Sequence, residues 1–303
     1  MAFTAKDVQA LREKTGCGMM DCKKALTETN GDMDAAADYL REKGLASQAK
    51  KAGRIAAEGT VCAYTKDGVG VVVELNSETD FVANGDGFKA LAAEVAEIVA
   101  EQNPADLDAL LKCEKDGMTV EAKVQELFLA IRENIKIRRF VRMEGKVVSY
   151  VHAGGKIGVL VNFDTTLDGD NEALVAMGKN IAMQVAAMNP SYLDIASVPA
   201  EVLAKEKDIL IAQMKEDPKM ANKPDAVLGK IVEGKIGKYY KENCLVEQQY
   251  VIDGDLTVGK YIANTAKELG ADIKLASFVR FEKGEGIEKR VDDFAAEVAA
   301  MAK

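Results

Sequence analysis

The amino-acid sequence calls for an α+β fold: a small helical bundle, then two related units that each set an antiparallel hairpin against helices. Three observations carry this reading. Residues 5–44 place apolar side chains at helical spacing, punctuated by glycine. Glu58-Gly59-x-Val61-x-x-Tyr64 returns as Glu144-Gly145-x-Val147-x-x-Tyr150, 86 residues later. Gly70-Val71-Val72-Val73-Glu74-Leu75-Asn76 returns as Gly158-Val159-Leu160-Val161-Asn162-Phe163-Asp164, 88 residues later, so the middle of the chain repeats itself.

The first helix carries Val8, Leu11 and Arg12 and ends at Gly16. Met19, Met20, Cys22, Ala25 and Leu26 give the second its apolar side. Asn30-Gly31-Asp32 supplies a stop, a turn and a new cap. Ala35 to Leu40 form the third helix, which Gly44 is expected to end. Residues 45–54 are polar and basic, with little periodicity beyond alanine, and read as a linker.

In each copy of the repeat a first strand turns through glycine, at Asp67-Gly68 and at Gly154-Gly155, into a second strand. A helix comes next, Phe88–Ala100 in one copy and Glu172–Met188 in the other. Residues 190–240 interrupt the second copy. Asn189-Pro190 breaks the preceding helix. Val202, Leu203, Ile209, Leu210 and Met214 then line one helix, and Val227, Leu228, Ile231 and Ile236 its return. This is a helical hairpin inserted into the second unit. Val258–Leu269 reads as helix and Ile273–Phe281 as strand. Phe278-Val279-Arg280-Phe281-Glu282 echoes Phe140-Val141-Arg142-Met143-Glu144. Val291–Met301 reads as a closing amphipathic helix.

The chain has 303 residues, 48% apolar and 29% charged, enough for more than one core. A net charge of −9 argues against a broad nucleic-acid-binding surface. Residues 1–54 carry ten Lys or Arg against eight Asp or Glu, so a mildly basic end precedes an acidic body. Five cysteines with no Cys-x-x-Cys pair, no signal-type N-terminus and no long apolar stretch place the expected location in the cytoplasm.

Enzyme signatures are missing. No Gly-x-x-x-x-Gly-Lys-Ser/Thr occurs. Gly154-Gly155-Lys156-Ile157-Gly158 lies between strands rather than at a helix N-terminus, so it reads as a hairpin turn. The single histidine, His152, leaves no pair for a zinc site. We expect no cofactor and no metal.

Two segments are candidates for binding. Thr79-Asp80-Phe81-Val82 stands at a corner between a strand and a helix, with Thr79 or Asp80 able to cap the next helix or turn. An acid and an aromatic there form either a wedge for another protein or a cap with a buried staple. The second copy has Thr166-Leu167-Asp168-Gly169 instead, which favours a specific role for the first. Met19 and Met20 are neighbours on a helix, so at most one should be fully buried and the other is free for contact.

Four stretches of the chain resemble a family. Leu11-Arg12-Glu13-Lys14-Thr15-Gly16-Cys17-Gly18-Met19-Met20-Asp21-Cys22-Lys23-Lys24-Ala25-Leu26, Thr79-Asp80-Phe81-Val82, Ile157-Gly158-Val159-Leu160-Val161 and Arg280-Phe281-Glu282-x-Gly284-Glu285-Gly286 are similar to bacterial translation elongation factor Ts, in the same order and over essentially the whole length. Cys17 departs from the alanine of many relatives, a change between two small residues. The resemblance implies a guanine-nucleotide exchange factor, not an enzyme, whose partner is elongation factor Tu, GDP-bound or nucleotide-free. It implies a three-helix domain similar to ubiquitin-associated domains with its linker (1–54), two core subdomains (55–140 and 141–283), a hairpin at about 190–240 that supports homodimers, and a C-terminal module (284–303). It assigns Mg²⁺ dislocation in the partner to Thr79, Asp80, Phe81 and Val82, and partner contact to Arg12, Met19, Met20 and Lys23. A scaffold that binds peptides through its helical domain is the alternative, and it leaves Asp80-Phe81 without a task.

Overall fold

The computed structural model describes residues 3–217 and 223–288. It opens with three helices, α1 (Ala5–Thr15), α2 (Met19–Glu28) and α3 (Met33–Lys51). Thr4 and Asp7 form a reciprocal capping box on α1, and Gly16 closes it at φ 67°. Asn30 and Gly31 turn the chain at positive φ, and the Asp32 carboxylate caps α3. Leu11, Leu26, Ala36 and Leu40 fill the small core, beside the buried thiols of Cys17 and Cys22.

The third helix does not end at Gly44. It continues to Lys51, so most of the expected linker is helical. Gly44 serves a different purpose there. A Cβ at this position would lie 2.0 Å from Leu129 Cδ2, so the missing side chain lets α3 seat against a distant helix.

The repeat folds as two three-stranded antiparallel sheets. The first unit runs β1 (Glu58–Lys66), β2 (Val69–Ser77), α4 (Asp80–Asn84), α5 (Asp86–Gln102), α6 (Leu107–Lys112), a two-residue-per-strand hairpin of β3 (Glu114–Lys115) and β4 (Met118–Thr119), α7 (Val120–Ile131) and β5 (Lys136–Glu144). The second runs β6 (Lys146–His152), β7 (Ile157–Thr165), α8 (Glu172–Met188), α9 (Ala200–Glu216), α10 (Asp225–Asn243), α11 (Val258–Leu269) and β8 (Ile273–Glu282). Strand orders are β1-β2-β5 and β6-β7-β8.

The third strands complete the repeat. Val141 pairs with Val72 in one sheet, and Val279 pairs with Leu160 at the equivalent place in the other. Both sheets shift register at the same point, between Glu74 and Leu75 and between Asn162 and Phe163. The first sheet therefore extends to Glu144, beyond the boundary expected at 140. The echo between Phe140–Glu144 and Phe278–Glu282 is the mark of these strands.

One face of each sheet carries its own helices. Val71, Val73 and Leu75 pack on Phe88, Leu91, Val95 and Val99 of α5. Val159, Val161 and Phe163 pack on Leu174, Met177, Ile181 and Val185 of α8. The opposite faces pack on each other through Val61, Val72, Leu160 and Phe281. A Cβ on Gly70 would lie 2.3 Å from Val147 Cγ1, and one on Gly158 2.4 Å from Val61 Cγ1. These glycines and valines exchange places between the two copies, so the units meet about a pseudo-twofold.

In the second unit α9 and α10 pack on each other. Leu210 and Met214 of α9 pack on Val232 and Ile236 of α10, while Ile209 stays exposed. The expected helix Val291–Met301 lies outside the described residues. Among the described residues no helix is long and apolar enough to cross a membrane.

Candidate functional site

The corner is built from a strand end that cannot continue. Ser77 donates its hydroxyl to the Thr79 carbonyl at 2.9 Å, which turns the backbone out of β2. Thr79 then caps α4, its hydroxyl accepting from the Val82 N–H at 3.3 Å. Val82 and Ala83 face inward and join the core under the first sheet. A single helical turn with its underside buried leaves its other side in solvent. Phe81 occupies that side and is 84% exposed. The buried-staple reading of Phe81 is thereby excluded. Asp80 is exposed next to it.

An exposed phenylalanine on a rigid mount is unusual, because leaving such a ring in water forgoes about 1.5–3 kcal/mol of burial. The mount is held from a distance. Glu133 accepts from the Thr79 N–H at 2.9 Å and from the Thr79 hydroxyl at 2.7 Å. Glu78 accepts from the Asn134 N–H at 2.7 Å and pairs with Arg54 at 3.2 Å. The Asn134 amide donates to the Arg54 carbonyl at 2.8 Å.

The N-terminal bundle docks on the same segment. Arg132 closes α7 in the left-handed region, φ 65°, and reaches Asp21 at 3.0 Å. Lys51 donates to the Arg132 carbonyl. Leu129 enters the core of the bundle. Residues 129–134 thus carry the bundle on one side and the Phe81 turn on the other.

On the bundle, Met19 is 44% exposed and Met20 73%, so neither belongs to its core. Arg12 and Lys23 are exposed as well. All eight sequence-derived candidates except Val82 are exposed; Val82 anchors the turn instead. Sequence reasoning missed Glu133, Asn134 and Arg132. They lie about 50 residues from the corner or more than 100 from Asp21, and no local pattern marks them.

Among the described residues no group of three His, Cys, Asp or Glu is arranged to hold a cation. His152 is exposed at the end of β6, its Nδ1 2.9 Å from the Tyr150 hydroxyl. Burial raises the thiols of Cys22, Cys62 and Cys244 above their usual value, the last to about 11, so they stay protonated at neutral pH.

The family model described as "Elongation factor TS" matches residues 78–285, beginning at the corner itself. The chain is 49% identical to Elongation factor Ts of Syntrophotalea carbinolica over the full length of both. It is 47% identical to that of Magnetococcus marinus over 99% of each chain, and 49% identical to that of Clostridium tetani over 98% of each. With the matched model running from the Phe81 turn through the end of the second unit, and full-length identity near one half, the chain belongs to the elongation factor Ts family.

Proposed function

We propose that the protein is a translation elongation factor that binds elongation factor Tu, GDP-bound or nucleotide-free, and drives GDP off it. Phe81 is the residue that acts. Its ring is mounted on a clamped turn and points into water, an arrangement suited to entering a pocket of another protein. On docking, the ring gains the apolar contact it lacks in the free chain. Asp80 enters beside it, and Thr79 and Val82 hold the turn. The partner's Mg²⁺ and phosphate contacts are displaced by this intrusion, while no bond is made or broken in the chain.

The energetics come from linkage. If the factor binds the empty partner more tightly than the GDP-bound one, GDP must weaken the factor by the same ratio. Each ~1.4 kcal/mol of coupling makes a tenfold change in GDP affinity. Arg12, Met19, Met20 and Lys23 on the bundle, read as a ubiquitin-associated-like domain, hold the partner without touching the nucleotide. The hairpin of α9 and α10 pairs two copies of the chain through its outward Ile209 and Val227.

The test is GDP release from elongation factor Tu, monitored by stopped-flow fluorescence of a labelled nucleotide. The chain should accelerate release, and Phe81→Ala should abolish most of the acceleration with circular dichroism unchanged. Equal release by the two chains would refute the role of Phe81. Binding with no acceleration by the native chain would favour the scaffold.

A further inference from the structure

The turn that carries Phe81 cannot hold its own direction. Five residues make little more than one helical turn, and a first turn fixes several dihedrals for one hydrogen bond. Val82 and Ala83 fix its underside. Its leading end is fixed by one carboxylate from the segment after α7. Glu133 takes both the N–H and the hydroxyl of Thr79, at 2.9 and 2.7 Å. That same hydroxyl accepts the Val82 N–H. Glu133 therefore orients the group that caps the helix. Both bonds end on an ionised acceptor, which shortens and strengthens them.

We propose that Glu133 is a positioning residue for Phe81, setting the angle at which the ring leaves the surface. The proposal rests on the exchange role proposed for Phe81. The contact should add little to folding stability, since Thr79 is exposed and charged contacts at the surface are worth little. Direction is another matter, since a misplacement of about 1 Å can cost roughly a hundredfold in a rate. The neighbours strengthen the case. Arg132, Glu133 and Asn134 hold, in order, Asp21 of the bundle, Thr79 of the turn and Glu78 at the end of β2. Three consecutive residues thus register the ring against the face that carries Met19 and Met20.

The test is GDP release from elongation factor Tu at varied concentration of the full chain, for Glu133→Ala, Glu133→Gln, Phe81→Ala and the Phe81→Ala/Glu133→Ala double variant. Glu133→Ala should lower the maximal release rate about tenfold and leave the half-saturating concentration nearly unchanged. Glu133→Gln keeps one acceptor and should fall between. The double variant should be no slower than Phe81→Ala. If Glu133→Ala is poorly folded, Thr79→Val removes the same hydroxyl at equal volume and should slow release likewise. A wild-type maximal rate in Glu133→Ala, beside a slow Phe81→Ala, overturns the positioning role. So does a loss that persists in full in the Phe81→Ala background, because it would mark a general structural defect. A Phe81→Ala chain that releases at the native rate instead removes the reading of Phe81 on which this proposal stands.

Discussion

Glu74, in the middle of the first sheet, accepts the backbone N–H of Gly284 at 2.7 Å, across 210 residues of chain. The carboxylate is wholly buried and also takes Arg138 at 3.0 Å and Arg139 at 2.6 Å. Arg139 lies over the Phe281 ring, 4.1 Å from its centroid, and pairs with Glu285 at 3.1 Å. One charge thus ties the first sheet to the segment that leaves the second. Removing it strands two cations, each still partly solvated. Glu74→Ala should cost about 3 kcal/mol, seen as a lower urea midpoint at constant slope.

The same residue makes a pH prediction. Burial pushes the Glu74 carboxyl up, but hydrogen bonds from Gly284, Arg139, Arg138 and Asn76 together outweigh it and hold it below 4.5. A carboxylate lowered in the folded state stabilises above its unfolded value and loses that contribution as pH falls through its folded value. The stability gap between the native chain and Glu74→Gln should be full at neutral pH and shrink below about pH 4.5. A gap constant down to pH 3, measured by thermal or urea unfolding, contradicts this.

Gly70 and Gly158 test the contact between the sheets. Gly70→Ala and Gly158→Ala should each destabilise by about 1–3 kcal/mol, because a valine from the other unit already fills the space. Gly229→Ala, in α10 with nothing within 4 Å, should be stabilising by about 0.5–1 kcal/mol. Calorimetry on the three variants separates close packing from a general intolerance of alanine.

Gly44 tests how the bundle docks. Gly44→Ala should lower stability and speed proteolysis near residues 52–57. Leu129→Ala in the same chain should recover part of the loss, since it empties the space the new methyl needs. Two losses that simply add would show that Leu129 is not the obstacle.

Met20 tests the outer face of the bundle. At 73% exposure, Met20→Ala should change unfolding free energy by less than about 0.5 kcal/mol. Affinity for nucleotide-free elongation factor Tu, read by titration calorimetry, should fall by up to about tenfold. Arg12→Ala and Lys23→Ala should cost less and mainly at low salt, since charges at the rim of an interface are screened.

Local chemistry made much of this protein legible. Gly16 ends α1 because only a glycine enters the left-handed region freely. Asp67-Gly68 turns the first hairpin, with both residues at positive φ. Val258–Leu269 forms a helix as its periodicity demands. Thr79-Asp80-Phe81-Val82 could be found as a corner because strand, cap and helix signals adjoin. Helical spacing could not tell whether Phe81 turns inward or out. That depends on which face of one short turn finds a core, and Val82 and Ala83 found it. Gly44 misled for a related reason: in sequence a glycine marks a stop, whereas here its absent side chain admits Leu129 from α7. The clamp of Glu133 on Thr79, the tie of Glu74 to Gly284 and the exchange of Gly70 and Gly158 between two sheets all join residues far apart in the chain. The first arises when β5 pairs with β2 inside the first unit, and the other two when the two sheets close face to face, because distance along the chain carries no record of distance in space.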